Sequence, residues 1–260
     1  MRLSRRLETI ASFVPEGSRV ADIGTDHGYI PIHLVQEGKS KYAIAMDVRE
    51  GPLLRAQAHI QEAGLQTQVE VRLSDGLLKL EQNEADCVVI AGMGGELMIH
   101  ILEGRRDLWE GIPYWVLSPH SELDKVRRFL EEEAFFTWQE TMIKEEGKYY
   151  SVIGVSRKPK AAIDHGCPLG IPLGEALPGK NGGQEEPLGG INQREISYRY
   201  GKALLESKDP VLMEYLKKEE EQLEQIMSGL SASGTESAAR RREELELELS
   251  YNKEAQDAMR

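Results

Sequence analysis

Three aspartates stand at the ends of three successive apolar runs. Val20-Ala21-Asp22-Ile23 leads into Gly24-Thr25-Asp26-His27-Gly28-Tyr29, Ala43-Ile44-Ala45-Met46 closes on Asp47-Val48, and Val71-Arg72-Leu73 closes on Ser74-Asp75-Gly76. A carboxylate at a strand end can accept from ribose hydroxyls or an amino group, and it can face a cation. A fourth run ends in Ala91-Gly92-Met93-Gly94-Gly95, where glycines allow the backbone to approach a ligand closely. Each acid alone is explained equally well as a helix cap or a strand end. Three in one register, with a glycine-rich turn beside them, point to a nucleoside.

The first of these stretches narrows the choice. Asp22-x-Gly24-x-x-x-Gly28 between an apolar strand and an apolar helix is used for dinucleotides and for S-adenosylmethionine. A dinucleotide fingerprint is G-x-G-x-x-G, which seats a pyrophosphate on the helix N-terminus. Here Asp26 replaces its second glycine and would repel a pyrophosphate, whereas a carboxylate suits the cationic amino end of S-adenosylmethionine. The cofactor set expected on this basis is Asp22, Gly24, Asp26, Gly28, Asp47, Val48, Asp75, Gly76, Gly92, Met93 and Gly94.

These residues need a frame that brings strand ends to one edge. Strands are expected at 19–23, 42–47, 69–73, 87–91, 114–118, 136–143 and 149–156, with helices at 29–37, 51–63, 77–81, 95–103 and 123–133. Alternation of near-continuous apolar strands with helices implies an α/β fold with a parallel sheet covered on both faces. The last two strands are separated by Lys144-Glu145-Glu146-Gly147-Lys148, a hairpin loop that makes the sheet end antiparallel. Glycine and proline crowd the next segment, which reads as a linker. Asp209-Pro210 is a good helix start, and Leu212, Leu216, Leu223, Ile226 and Leu230 follow at helical spacing. After the Ser231-Ala232-Ser233-Gly234 break a second long helix runs to Met259, making an antiparallel helical hairpin. The division is 1–158 for the cofactor domain, 159–191 for the linker and 192–260 for the helical domain.

The formal charge is −12, shared equally: 19 basic and 25 acidic side chains in residues 1–158, and 13 and 19 in 159–260. This argues against indiscriminate nucleic-acid binding but leaves local basic clusters at Arg2, Arg5 and Arg6, at Arg127-Arg128 and at Arg240-Arg241-Arg242. Two distant cysteines, Cys87 and Cys167, offer neither a disulfide framework nor a metal cluster, and His33, His59, His100 and His120 lack metal-ligand spacing. No apolar run approaches a membrane span, and the basic start lacks the apolar centre of a secretory signal. A cytoplasmic, metal-free monomer is expected.

The strings Asp22-Ile23-Gly24-Thr25-Asp26-His27-Gly28-Tyr29-Ile30-Pro31 and Ala91-Gly92-Met93-Gly94-Gly95 resemble those of bacterial tRNA adenine-N1 methyltransferases acting at position 22 of tRNA. The resemblance continues through Gly147-Lys148-Tyr149-Tyr150 to the segment from Gly201 to Pro210. It implies a class I (Rossmann-like) seven-stranded methyltransferase sheet with a C-terminal antiparallel coiled-coil appendage, S-adenosylmethionine as donor and tRNA as acceptor. Two positions depart from it: Gly28, where relatives often have Ala, and Leu117-Ser118-Pro119-His120, where they carry a Gln-Pro-Asn-like string.

Adenine N1 is nucleophilic in the neutral base, so orientation is the main requirement, with a carboxylate or histidine to relieve the charge that develops. Asp26, His27 and Tyr29 are the catalytic candidates. Arg2, Arg5, Arg6, Arg240, Arg241 and Arg242 are the candidates for tRNA phosphates. A small-molecule methyltransferase would share the acids without needing the arginines or the helical appendage. A non-catalytic RNA-binding protein would not need the acids, and a nicotinamide-dependent oxidoreductase would not tolerate Asp26.

Overall fold

The computed structural model describes residues 3–157, 193–230 and 236–260. Arg2, the linker at 159–191 and the break at Ser231 to Gly234 lie outside the described residues. The described residues form two units, 3–157 and 193–260.

The first unit is a seven-stranded sheet in the order β3-β2-β1-β4-β5-β7-β6. Its strands are β1 (Ser18–Ile23), β2 (Ser40–Asp47), β3 (Val69–Leu73), β4 (Cys87–Ala91), β5 (Tyr114–Ser118), β6 (Phe136–Glu145) and β7 (Lys148–Ser156). The first five run parallel, and β7 is antiparallel to both β5 and β6. Five helices cover it: α1 (Arg5–Phe13), α2 (Tyr29–Gln36), α3 (Glu50–Glu62), α4 (Gly95–Glu103) and α5 (Leu123–Glu132).

Alternate residues of the central strands face opposite ways, which is why these runs are apolar throughout. Val20, Ala43, Ala45, Cys87, Val89 and Val116 meet Ile10, Ile32, Leu34, Ala56 and Ile60 from α1, α2 and α3. Ala21, Ile23, Ile44, Met46, Val88 and Ile90 meet Met98, Leu102, Val126 and Leu130 from α4 and α5. Each full burial of such a side chain contributes about 1.5–3 kcal/mol.

Three local features differ from the sequence expectation. Helix α1 was hidden because its charged residues mask apolar spacing at Leu3, Leu7, Ile10, Ala11 and Val14. The Ser4 side chain caps its start, and Lys39 Nζ donates to the carbonyls of Ala11 and Ser12 at its end, both at 2.8 Å. The hairpin is tighter than expected, because Glu146 and Gly147 both have positive φ (48° and 78°), the combination a two-residue type I′ turn requires. Residues 77–81 are turns rather than a helix. Leu77 and Leu80 are buried one turn apart, and Arg105 Nη1 donates to the carbonyls of Leu77, Leu78 and Leu80, so those oxygens are satisfied from outside.

The second unit contains α6 (Gln193–Tyr200), α7 (Lys202–Glu206), α8 (Pro210–Leu230) and α9 (Glu236–Ala258). Helices α6 and α7 were not anticipated. Asp209 Oδ1 accepts from Val211 N and Leu212 N and so caps α8 as expected. Leu212, Leu216 and Leu223 are buried, but Ile226 is exposed. Leu245 is buried and Leu247 exposed, so the alternating leucines Leu245, Leu247 and Leu249 follow a helical and not a strand-like pattern. Helices α8 and α9 are antiparallel, and a partly buried polar network joins them. Tyr200 and Tyr215 hydroxyls and Asn252 Nδ2 all donate to the Glu219 carboxylate, and Gln256 Nε2 donates to Glu220 and to Asn252 Oδ1.

Because Arg105 closes the turns that follow Asp75, Arg105→Ala should cost about 2 kcal/mol in urea unfolding. Hydrogen exchange should quicken at the Leu78 and Leu80 amides while the β1 amides stay protected.

Candidate active site

Strand β1 is central: Ile23 pairs with Met46 of β2 on one side and with Ile90 of β4 on the other. The chain leaves β1 for α2 on one face of the sheet and leaves β4 for α4 on the opposite face. A crevice must open between two such strand ends, which is where doubly wound sheets bind ligands. A cleft of about 510 Å³ lies there, lined among others by Asp22, Gly24, Thr25, Asp26, Asp47 and Gly92. That size falls in the range of small-molecule sites.

Asp22 is nearly inaccessible, and burial raises its carboxyl to a pKa of about 6, with Asp47 and Asp26 adding to the rise. Thr25 opposes the shift only in part, and its buried Oγ1 has no well-formed hydrogen bond among the described residues. Asp47 is also buried; its Oδ1 accepts from Arg49 N at 2.8 Å and lies 3.7 Å from Arg49 Nε. A buried acid held this way, beside an orphaned hydroxyl, fits a ligand carrying a positive charge and hydroxyl groups. The backbone is arranged around the same gap. Gly24 N and Thr25 N both donate to Met46 O at 2.8 Å, with Gly24 at φ +76°. The left-handed backbone at Gly24 favours glycine, and a side chain there would also begin 2.7 Å from Met93 Cε and displace the end of that side chain.

The remaining expected residues divide into those the cleft gathers and those it does not. Asp26 and Tyr29 line it. Asp26 is largely exposed and lies 3.5 Å from Arg55 Nη2 and 3.4 Å from His27 Nε2, so its charge is already partly answered. His27 is outside the lining. Its φ is +60°, its ring stacks on Tyr29 (centroids 5.1 Å) and on His59 (5.4 Å), and its carbonyl accepts from His59 Nδ1. Gly28 is the left-handed N-cap of α2, where an added Cβ would sit 3.2 Å from Ala56 Cβ. An alanine at this position carries a cost, since left-handed backbone costs an L-residue about 1–2 kcal/mol.

Val48 and Asp75 are exposed at the ends of β2 and β3, and Gly76 packs by Ile101; none of the three lines the 510 Å³ cleft. Of the glycine-rich turn, Gly92 lines the cleft, Met93 leans on Gly24, and Gly94 caps α4. Among the arginines, Arg6 lines the cleft and Arg5 is exposed on α1. Arg240, Arg241 and Arg242 are exposed on α9, and two of them are tied to their own helix, Arg241 to Glu244 and Arg242 to Glu246.

Sequence reasoning missed Thr25, Arg49, Arg55 and His120, all of which line the cleft. His120 had a readable signal, as it follows β5 at the same sheet edge. Arg55 had none, because only the packing of α3 brings it to Asp26. Among the described residues no group of three or more His, Cys, Asp or Glu gathers as a metal site, and no helix is long and apolar enough to cross a membrane.

The methyltransferase domain family matches residues 3–153. A tRNA (adenine(22)-N(1))-methyltransferase of Bacillus subtilis is 37% identical over 169 residues, 65% of this chain and 71% of that protein. The chain belongs to the tRNA (adenine(22)-N(1))-methyltransferase family. The crystal structure of the B. subtilis m1A22 tRNA methyltransferase aligns over 98% of this chain and 99% of that one, with TM-score 0.77 and 30% identity. A Streptococcus pneumoniae protein solved in complex with S-adenosyl-L-methionine aligns over 98% and 100%, with TM-score 0.76 and 30% identity. The tRNA (adenine(22)-N(1))-methyltransferase family thus accounts for both units, the seven-stranded sheet and the helical hairpin, whereas the methyltransferase domain match ends within β7.

Asp22 has a measurable signature in stability. A carboxyl whose pKa is raised on folding is stabilising only while protonated, so stability falls as pH rises from about 4 to about 6. Asp22→Asn should remove that slope and gain about 3 kcal/mol at pH 7 in chemical unfolding of the ligand-free protein. Equal pH profiles for the two proteins would contradict the assignment.

Proposed function

We propose that the protein transfers a methyl group from S-adenosylmethionine to N1 of adenine 22 in bacterial tRNA. The observation that carries this reading is the convergence of Asp22, Asp26 and Asp47 with Gly24 and Gly92 in one cleft at the crevice between β1 and β4, in a chain of this family. Bound S-adenosylmethionine supplies an electrophilic methyl group on a cationic sulfur. Asp22 and Asp26 face its positive amino end, and the electrostatic cost of ionising buried Asp22 is offset by that charge. Asp47 accepts from the ribose hydroxyls, and the adenine ring extends beyond the cleft along the ends of β2 and β3, where Val48 and Met93 offer apolar contact and Asp75 with Gly76 meets its amino edge. Gly28 and Gly94 shape the two turns.

Asp26 and Tyr29 reach the reacting region from within the cleft. His27, stacked behind Tyr29 and close to Asp26, acts as a positioning residue for both. The target N1 lies on the pairing edge, so the base must leave its stack to reach the cleft. Arg6 in the cleft wall, its sequence neighbours Arg2 and Arg5, and Arg240, Arg241 and Arg242 on α9 serve to bind phosphates. On this reading residues 1–158 bind the cofactor, 159–191 link, and 192–260 add RNA surface. The protein acts without metal, as a monomer, in the cytoplasm where tRNA is found.

Labelled S-adenosylmethionine and unmodified bacterial tRNA should yield 1-methyladenosine that maps to position 22 after digestion. Cofactor binding without that product would overturn the acceptor. Asp47→Ala should weaken cofactor binding at least tenfold by calorimetry, and unchanged affinity would remove the nucleoside from this register. Arg240→Ala should weaken tRNA binding without changing cofactor affinity. It should also reduce the slope of log affinity against log salt by about 0.7–0.9 for each phosphate no longer neutralised.

A further inference from the structure

The cleft has a second wall, of which the reading above uses only Arg6. Arg6 of α1 and His120 after β5 line it, and Tyr150 of β7 packs against both. Arg6 Nη1 donates to His120 Nε2 at 2.6 Å, and its guanidinium carbon lies 5.1 Å from the centre of the Tyr150 ring. The His120 and Tyr150 rings are 5.7 Å apart and tilted by 58°. The imidazole is anchored through its backbone, since His120 N donates to Met93 O at 2.9 Å and Gly92 N donates to Ser118 O at 3.1 Å. A Cβ built on Gly92 would find Arg6 Nη1 and His120 Cε1 both at 3.9 Å, so the pair stands directly over the turn.

The protonation state follows from donor counting. A guanidinium only donates, so His120 Nε2 must accept, which makes the ring neutral with its proton on Nδ1. Burial, the Arg6 charge and the Lys148 charge all hold the His120 pKa below its ordinary value. The other titratable groups close to the pair are Tyr150 of β7 and Glu145 of β6, whose Oε1 accepts from Arg6 N at 3.2 Å.

The geometry points to His120 Nε2 as the acceptor that holds the exocyclic amino group of the target adenine, with Arg6 as a cover that leaves when RNA arrives. This rests on the methyl-transfer reading above. N1 must stay bare to react, so the adjacent amino group is the remaining handle on that edge, and it is a donor that needs an acceptor. A guanine would set its O6 against the His120 lone pair and its N1–H against the methyl donor. Arg6 is held by one hydrogen bond and a ring face, and an RNA phosphate is the stronger partner for a guanidinium. Its departure exposes Nε2 and leaves the Tyr150 face free for the base to stack on. As positive charge develops on the base the amino group donates more strongly, so this hydrogen bond tightens in the transition state. RNA capture and base selection are thereby coupled.

The test compares the wild-type protein with His120→Phe, His120→Asn and Arg6→Ala at saturating cofactor. His120→Phe should lower kcat roughly 10²-fold without changing cofactor affinity. His120→Asn, whose amide oxygen also accepts, should stay within about tenfold of wild type. Wild-type kcat should fall as pH drops through the His120 pKa, below 6.5, and His120→Asn should lack that limb; any limb due to Asp22 appears in cofactor affinity instead. In the RNA-free protein, nuclear magnetic resonance should find the His120 proton on Nδ1, and Arg6→Ala should raise the His120 pKa. Wild-type kcat and an unchanged acid limb in His120→Phe, or a proton on Nε2 in the free protein, would overturn the proposal. A wild-type protein that binds cofactor yet forms no 1-methyladenosine would instead overturn the parent reading.

Discussion

The position of β1 between β2 and β4 is the constraint on which everything else hangs. A parallel strand with parallel neighbours on both sides must be buried on both faces, which fixes its apolar character up to Asp22 and Ile23. It also obliges the chain to exit toward opposite faces after β1 and β4. The gap between those exits contains no backbone. Side chains that end these strands therefore project into a space shielded by protein yet open at one side. The burial of Asp22 is a direct result of where its strand sits.

That burial carries an energetic tension. Nothing among the described residues fully answers the Asp22 charge, and Asp47 and Asp26 increase the cost of ionising it. Stability is thus held below what the fold could reach, at the point where a cationic ligand would relieve the strain. Arg49 and Arg55 moderate the field at the rim without entering the Asp22 environment.

Much of this was legible from the residues. Apolar runs and strand-end acids placed all five parallel strands, because the signal is local to each run. Asp209-Pro210 fixed the start of α8 for the same reason. What escaped notice depends on partners distant in sequence. The 77–81 segment has helical composition, but three hydrogen bonds from Arg105 to its carbonyls hold it as turns. His27 sits in the right string for chemistry, yet stacking with Tyr29 and His59 turns it away from the cleft lining. Arg6, His120 and Tyr150 belong to three elements spread along most of the first unit, and only the closed sheet brings them together. Gly28 belongs to the cofactor set expected from the sequence, and its local demand is the left-handed cap against Ala56.

The buried amides of Asn252 and Gln256 in the helical unit have a mechanical consequence. Sliding α9 along α8 by one turn would part Asn252 from Leu216 O and Glu219, and Gln256 from Glu220, leaving two buried amides without their acceptors. An all-leucine seam would tolerate such slippage more readily. The hairpin is accordingly a ruler of set length: the 21 residues of α8 span about 30 Å, and polar matching rather than grease fixes the scale.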